Sequence, residues 1–140
     1  MEHDKTEEWL AQVPLFNGLS KKQLREVSSL ATRLDEPAGT ELTKEGRVGN
    51  EFIIVLEGEI EIRRGDQVVA TRGPGSYVGE IALLDNRPRT ATVIAKTPVV
   101  IEVIGRREFR GLLGETPALA DEIMATMAQR LAELEAPVEA

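Results

Sequence analysis

Two kinds of hydrophobic pattern alternate along the chain, and they predict helices at both ends with strands between them. Ser20 and Gln23 stand at the spacing of a capping box, which favours a helix start. The apolar residues that follow recur at every third or fourth position and predict one buried helix face: Leu24, Val27, Leu30 and Leu34. Pro37 and Gly39 end this pattern, so residues 1–36 are assigned to an N-terminal helical segment.

Between residues 37 and 104 the pattern is that of short strands separated by turns. Eight of the twelve glycines lie from Gly39 to Gly79, between short apolar runs. Residues 52–56 are continuously apolar, as in a buried strand, whereas residues 59–63 alternate between isoleucine and charged side chains. Further strands are expected around a turn at Gly65-Asp66 and at the following segments: 67–71, 91–95 and 99–104. The predicted fold class is mainly β with helical flanks, a jelly roll or β-roll.

The helical period returns in residues 105–135. A short helix is expected over residues 106–113, and Thr116 with Pro117 predicts the start of a longer one. The longer helix carries an apolar stripe: Leu119, Ile123, Met127, Leu131 and Leu134. This stripe needs a surface to cover, either the roll or a second copy of the chain. Because no linker or repeat interrupts the pattern, we expect a single domain over residues 1–140.

Composition narrows the functions open to such a domain. The 140 residues include no cysteine and a single histidine, His3, so a disulfide framework, a Cys/His metal site and a Ser-His-Asp triad lack their residues. The net charge is −7, from 17 basic and 24 acidic residues, with the acid excess in residues 1–8 and 115–140. This charge opposes broad contact with DNA or RNA. We expect no enzyme activity, no metal or other cofactor, and no direct nucleic-acid binding.

The chain also carries no pattern typical of a membrane or secretion signal. Its apolar runs are far shorter than a membrane-spanning helix, and its first residues lack the apolar core of a signal peptide. We therefore expect no membrane span and a cytoplasmic location.

One stretch between the predicted strands breaks the β pattern, and its residues are suited to hold a small anion. Residues 80–84 fit one or two helical turns, and Gly79 before them lets the backbone approach a ligand closely. The N–H groups at the start of a helical turn attract an anion. Arg89 precedes the next predicted strand, where it can offer a planar fork to two phosphate oxygens. Together these features predict a site for one small phosphate.

The order of residues in this stretch resembles a known motif. The stretch reads Gly-Glu-Ile-Ala-Leu-Leu from Gly79 and Arg-Thr-Ala-Thr-Val from Arg89. It is similar to the phosphate-binding cassette of the cyclic nucleotide-binding domain family. That family includes the catabolite activator protein and the regulatory subunits of cAMP-dependent protein kinase. The resemblance extends over residues 9–134, with further similarity at residues 13–20, 52–58 and 105–113.

The resemblance implies a role for each matching residue. Glu80 would accept a hydrogen bond from the ribose 2′-hydroxyl, and Arg89 would pair with the cyclic phosphate. The N–H groups of Ala82 and Ala91 would complete the phosphate contacts. The implied ligand-binding residues lie in the cassette, residues 78–91: Val78, Gly79, Glu80, Ile81, Ala82, Arg89, Thr90 and Ala91. Residues implied to line the base pocket or to cover it are Ile62, Ala70, Leu131 and Leu134.

The resemblance leaves the nucleotide open at Thr90. Members of the family that select cGMP carry a threonine there that contacts the guanine amino group, and many cAMP binders carry alanine. Since other members with threonine or serine still take cAMP, cAMP is the expected ligand and cGMP-selective binding the alternative.

The resemblance also bears on how such a domain would act. No helix-turn-helix, kinase, channel or transporter segment follows the last helix, so we expect a stand-alone, bacterial-like sensor. It would signal through movement of its C-terminal helices to an effector protein that the sequence does not identify. Two further hypotheses stay open: an interaction domain of the same fold without a ligand, and a homodimer through the last helix.

Overall fold

The computed structural model of the chain describes residues 2–83 and 88–134, which fall into two compact units. Residues 30–110 form a β unit, which we call the roll. The described residues before and after it, up to Ser29 and from Gly111, form a helical unit. Within the described residues, no helix has both the length and the apolar character needed to cross a membrane.

The described residues of the roll form two four-stranded antiparallel sheets. Its strands, numbered in chain order, are β1 (Thr32–Glu36), β2 (Glu41–Thr43), β3 (Glu51–Glu57), β4 (Ile60–Arg64), β5 (Gln67–Arg72), β6 (Tyr77–Val78), β7 (Thr92–Ala95) and β8 (Val99–Gly105). The first sheet has the order β1-β8-β3-β6 and the second the order β2-β7-β4-β5. This arrangement confirms the predicted jelly roll.

The inner faces of the two sheets share one apolar core. Its buried members come from both sheets: Ile53, Val55, Ile60, Val93, Ala95, Val99, Ile101 and Val103. The central strand β3 is buried at every position from Phe52 to Leu56, so both faces of the first sheet are excluded from solvent there. This explains why its sequence is a continuous apolar run rather than an alternating one. The ring of Phe52 also contacts that of Tyr77 on β6, with centroids 6.0 Å apart.

The N-terminal helical segment is shorter than the predicted 1–36. Helices α1 (Glu2–Gln12) and α2 (Lys21–Ser28) form it, and α2 begins with the predicted capping box. However, the chain from Thr32 pairs with β8 as strand β1, so the assignment of Leu30 and Leu34 to a helix was wrong. The spacing of these leucines continues the helical period, but pairing with a strand almost 70 residues away outweighs that local pattern.

In the helical unit, the C-terminal helices largely follow the prediction. Helix α3 (Arg106–Glu115) begins in the roll, and α4 (Pro117–Leu134) starts with proline at its first position. Leu119 and Ile123 of the predicted stripe are fully buried. The side chains of the other stripe members lie outside the described residues: Met127, Leu131 and Leu134.

A cross-strand ion pair in the first sheet offers a test of stability. Arg33 on β1 donates from Nε to Oε2 of Glu102 on β8 at 3.0 Å, and Glu102 is only 7% exposed. We expect Arg33→Ala to lower the free energy of unfolding by about 2 kcal/mol, because a nearly buried carboxylate loses this partner. Urea denaturation measures the loss. Arg63→Ala is the control, since its pair with Glu61 is more exposed and should matter by less than about 0.5 kcal/mol. Equal losses for the two variants would contradict the assignment.

Candidate functional site

The break in the β pattern forms a short helical turn directly after β6, as the sequence predicts. Residues Glu80–Leu83 make a 3-10 turn, and Gly79 before it has a φ of 81°, in the left-handed region that favours glycine. The Ala82 N–H donates to the Gly79 carbonyl at 3.0 Å, so this amide is engaged inside the turn. Ala82 and Leu83 are buried, which holds the turn in place.

Arg89 reaches this turn with its guanidinium placed between two glycines. A Cβ added at Gly49 would overlap Nε, and a Cβ added at Gly79 would overlap Nη1. On its remaining side, Nη2 donates to the Glu51 carbonyl at 2.6 Å. The space that the guanidinium occupies therefore exists only because both flanking positions lack a side chain.

The Arg89 guanidinium has an N–H group left to satisfy. Its Nε is buried and has no hydrogen-bond partner among the described residues. The pKa of Arg89 is lowered from its ordinary value, because burial outweighs the opposing effect of the Glu51 charge. A half-buried cation is stabilised by an anion that lies close to it and accepts hydrogen bonds from the guanidinium. The site thus fits a small anion electrostatically.

A cleft of about 230 Å³ adjoins the arginine. Its lining comes from β2, the following loop, the first residue of β3 and Arg89 itself: Glu41, Leu42, Thr43, Lys44, Arg47, Val48, Gly49, Glu51 and Arg89. Glu80 does not line this cleft, although it follows Gly79, which borders the guanidinium. A larger groove of about 420 Å³ lies elsewhere, at Asp35, Glu36 and Glu57 among others, and its acidic lining does not suit an anion.

Two of the residues predicted for the base pocket lie on neighbouring strands of the second sheet. Ile62 and Ala70 form a cross-strand pair on β4 and β5, and both are partly buried. Ile62 packs against the roll core, as do Val78 and Leu42. Thr90 is exposed, and the Ala91 carbonyl accepts a hydrogen bond from Thr43 Oγ1 at 3.1 Å. The side chains of Ile81, Leu131 and Leu134 lie outside the described residues.

Comparisons with known proteins agree with this architecture. The model of the cyclic nucleotide-binding domain family matches residues 35–116. The cAMP-dependent protein kinase regulatory subunit of Yarrowia lipolytica is 38% identical over 109 residues, which are 76% of this chain and 29% of that protein. The corresponding subunit of Blumeria graminis is 37% identical over 115 residues, 81% of this chain and 29% of that protein. This chain belongs to the cyclic nucleotide-binding domain family.

Solved structures of similar proteins share the fold of this cyclic nucleotide-binding domain. The N-terminal domain of a transcriptional regulator from Streptomyces coelicolor A3(2) matches with a TM-score of 0.80 and 29% identity, covering 90% of this chain and 92% of that chain. The regulatory domain of Toxoplasma gondii PKA, crystallised with cAMP, matches with a TM-score of 0.71 and 35% identity, covering 79% and 44%. The chain spans less than a third of the length of the two kinase regulatory subunits above.

One part of this domain's candidate site was not predicted from the sequence. It is the segment of residues 44–50 between β2 and β3, which we call the 44–50 loop. Its backbone pairs with that of Arg89 in both directions. The Gly46 N–H donates to the Arg89 carbonyl at 2.9 Å, and the Arg89 N–H donates to the Arg47 carbonyl at 2.8 Å. Gly46 and Gly49 were the available signal, but their sequence context indicated only a turn.

Proposed function

We propose that this domain binds a cyclic mononucleotide, with cAMP preferred, at Arg89 and the turn Glu80–Leu83. The half-buried Arg89 guanidinium, held between Gly49 and Gly79 with Nε unpaired among the described residues, is the observation that carries the proposal. A cyclic phosphate is a small monoanion with two free oxygens, and one guanidinium can bind both of them. The Toxoplasma gondii relative crystallised with cAMP supports the same class of ligand.

The residues around Arg89 would divide the contacts between phosphate and sugar. Because the Glu51 carbonyl already holds Nη2, the plane of the guanidinium is fixed before a ligand arrives. Glu80 would accept a hydrogen bond from the ribose 2′-hydroxyl, whereas the space that Gly79 leaves open is taken by Arg89 Nη1. The Ala82 N–H already donates to Gly79, so it would reach the phosphate only if the turn Glu80–Leu83 rearranges on binding.

The base would lie against the apolar end of the second sheet. Ile62 on β4 packs against the core there, and Ala70 lies opposite it on β5. Val78 packs against the same core from β6 of the first sheet. A largely apolar surface of this kind suits a purine, whose faces are apolar. It offers little discrimination between adenine and guanine, so we assign that discrimination to Thr90.

We further propose that the domain is a cytoplasmic sensor that performs no chemistry on its ligand and acts through its C-terminal helices on an effector protein. The start of α3 is held by the same loop that holds Arg89, since Arg106 donates from its backbone N–H to the Asn50 carbonyl at 2.8 Å. Arg106 Nη2 donates to Asn50 Oδ1 at 3.1 Å. Asn50 adjoins Glu51, so a ligand that shifts Arg89 can bias the position of α3 through two neighbouring residues.

A homodimer through α4 stays a proposal, and the structure bears on one residue of the seam that the sequence suggests. Ile123 is already fully buried within the described structure, so it is not available to a second copy. Met124, at the next position, is 54% exposed. We therefore place any such contact on the Met124 side of α4, and light scattering with and without nucleotide tests it.

Titration of the purified protein with cAMP and cGMP by calorimetry tests the proposed ligand. We expect both to bind, cAMP more tightly. Thr90→Ala should weaken cGMP by about tenfold, because one hydrogen bond to the guanine amino group is lost, and should leave cAMP within about twofold. If neither nucleotide binds at millimolar concentration, the domain is instead an interaction module that has kept the fold without the ligand.

A further inference from the structure

Glu45, in the 44–50 loop, makes two hydrogen bonds to separate parts of the roll. Its Oε1 accepts from the backbone N–H of Gly65, in the turn between β4 and β5, at 2.9 Å. Its own N–H donates to Oγ1 of Thr92, at the start of β7, at 3.0 Å. The first contact joins residues 20 positions apart, and it ties the loop to the tip of the β4–β5 hairpin.

The residues that follow Glu45 hold the arginine of the candidate site. Gly46 and Arg47 exchange backbone hydrogen bonds with Arg89 at 2.9 and 2.8 Å. Three consecutive residues of the loop therefore connect the hairpin tip, through one carboxylate, to the backbone of Arg89.

Apart from the Glu45 contact, the β4–β5 hairpin is held in its sheet along one side, where β4 pairs with β7. Within residues 2–83 and 88–134, β5 is the edge strand of the second sheet and pairs with β4 alone. Most of its residues are exposed, including Val68 at 51% and Val69 at 49%. An edge strand with few buried side chains opens at low free-energy cost, so a tie at its turn has a large effect on its position.

We infer that Glu45 is a positioning residue of the nucleotide site. Its carboxylate latches the β4–β5 hairpin, which carries Ile62 and Ala70, to the segment that holds Arg89. This hydrogen bond couples the hairpin on the base side of the site to the loop on its phosphate side. A bound nucleotide therefore dissociates only when the bond between Glu45 and Gly65 breaks and the hairpin moves away. This inference rests on the proposed function, because it assigns the hairpin to the base.

The test compares Glu45→Ala, Glu45→Gln and the control Asp66→Asn. The control removes a negative charge from the same hairpin turn, at an exposed residue. We expect Glu45→Ala to speed amide hydrogen exchange of Gly65 about tenfold and to raise the dissociation rate of cAMP by a similar factor, as for loss of a hydrogen bond to a charged group. The association rate should change little. Glu45→Gln keeps an acceptor oxygen and should restore most of both effects, whereas Asp66→Asn should match the wild type.

Two results would overturn the inference. The Gly65 amide would exchange equally fast in the wild type and in Glu45→Ala if the latch did not form in solution. Alternatively, Gly65 would lose protection while cAMP dissociated at the wild-type rate if the latch did not act on the site. If the wild type bound neither cAMP nor cGMP, the proposed function would be refuted instead. Gly65 exchange measured without ligand would still show whether the Glu45 hydrogen bond forms, so the two failures can be told apart.

Discussion

Arg89→Ala is expected to weaken cAMP binding at least about a hundredfold, which is the loss of two charge-assisted hydrogen bonds to the phosphate. The same change should leave the free energy of unfolding within about 1 kcal/mol. Without an anion, burial lowers the pKa of Arg89, which means that the fold holds this cation at some cost. The substitution therefore removes an unfavourable burial together with the hydrogen bond to Glu51. A large loss of affinity with a small change of stability is the signature of a ligand contact.

Two variants show whether the loss depends on the geometry of Arg89 or on charge alone. Arg89→Lys keeps the charge without the planar fork, and we expect it to remain weaker than the wild type by more than about tenfold. Arg47→Ala removes another cation of the same cleft, one whose backbone carbonyl, kept in the variant, accepts the hydrogen bond from the Arg89 N–H. It should cost about threefold or less, as expected for a screened charge. Calorimetry with cAMP measures all three. Equal losses for Arg89→Ala and Arg47→Ala would mean that the cleft attracts anions in general and that Arg89 has no special role.

Local sequence patterns predicted those parts of the domain whose structure depends on residues close together in the chain. The capping box at Ser20, the turn at Gly65-Asp66 and the helical turn after Gly79 all lie where the residue types require them. Arg89 of the candidate site was predicted differently, from the resemblance of its spacing after Gly79 to the cassette of the family. Strand β1 could not be predicted, since its place depends on pairing with β8.

The 44–50 loop was missed for a different physical reason. It holds Arg89 mainly through backbone N–H and carbonyl groups, which nearly every residue type possesses, so these contacts leave little trace in the sequence. Its one distinctive requirement is the absence of a side chain at Gly49, where the structure places the Arg89 guanidinium. A glycine that is needed for a turn and a glycine that is needed for a neighbour's side chain look alike in a single sequence.

Gly49→Ala separates these two roles, and we expect it to weaken cAMP binding by about tenfold or more. Gly49 does not have a positive φ, so alanine fits its backbone conformation without strain. The added Cβ would overlap Arg89 Nε and would force the guanidinium out of the plane set by Glu51. A displaced guanidinium loses the paired geometry that binds two phosphate oxygens. Gly79→Ala is a poorer probe, because its φ of 81° and the Glu51 carbonyl 2.7 Å from the new Cβ add backbone strain.

A double-mutant cycle with Arg89→Ala decides whether the effect passes through the arginine. In the Arg89→Ala background the atoms that the new Cβ would meet are gone, so Gly49→Ala should cost nothing further. The coupling between the two positions should then equal the whole effect of the single Gly49 change. Gly73→Ala is the matched control, since Gly73 also lacks a positive φ and a Cβ there meets no atom within 4 Å. If Gly49→Ala weakened binding equally in both backgrounds, Gly49 would serve the turn alone, and the glycine-flanked arginine would no longer account for the site.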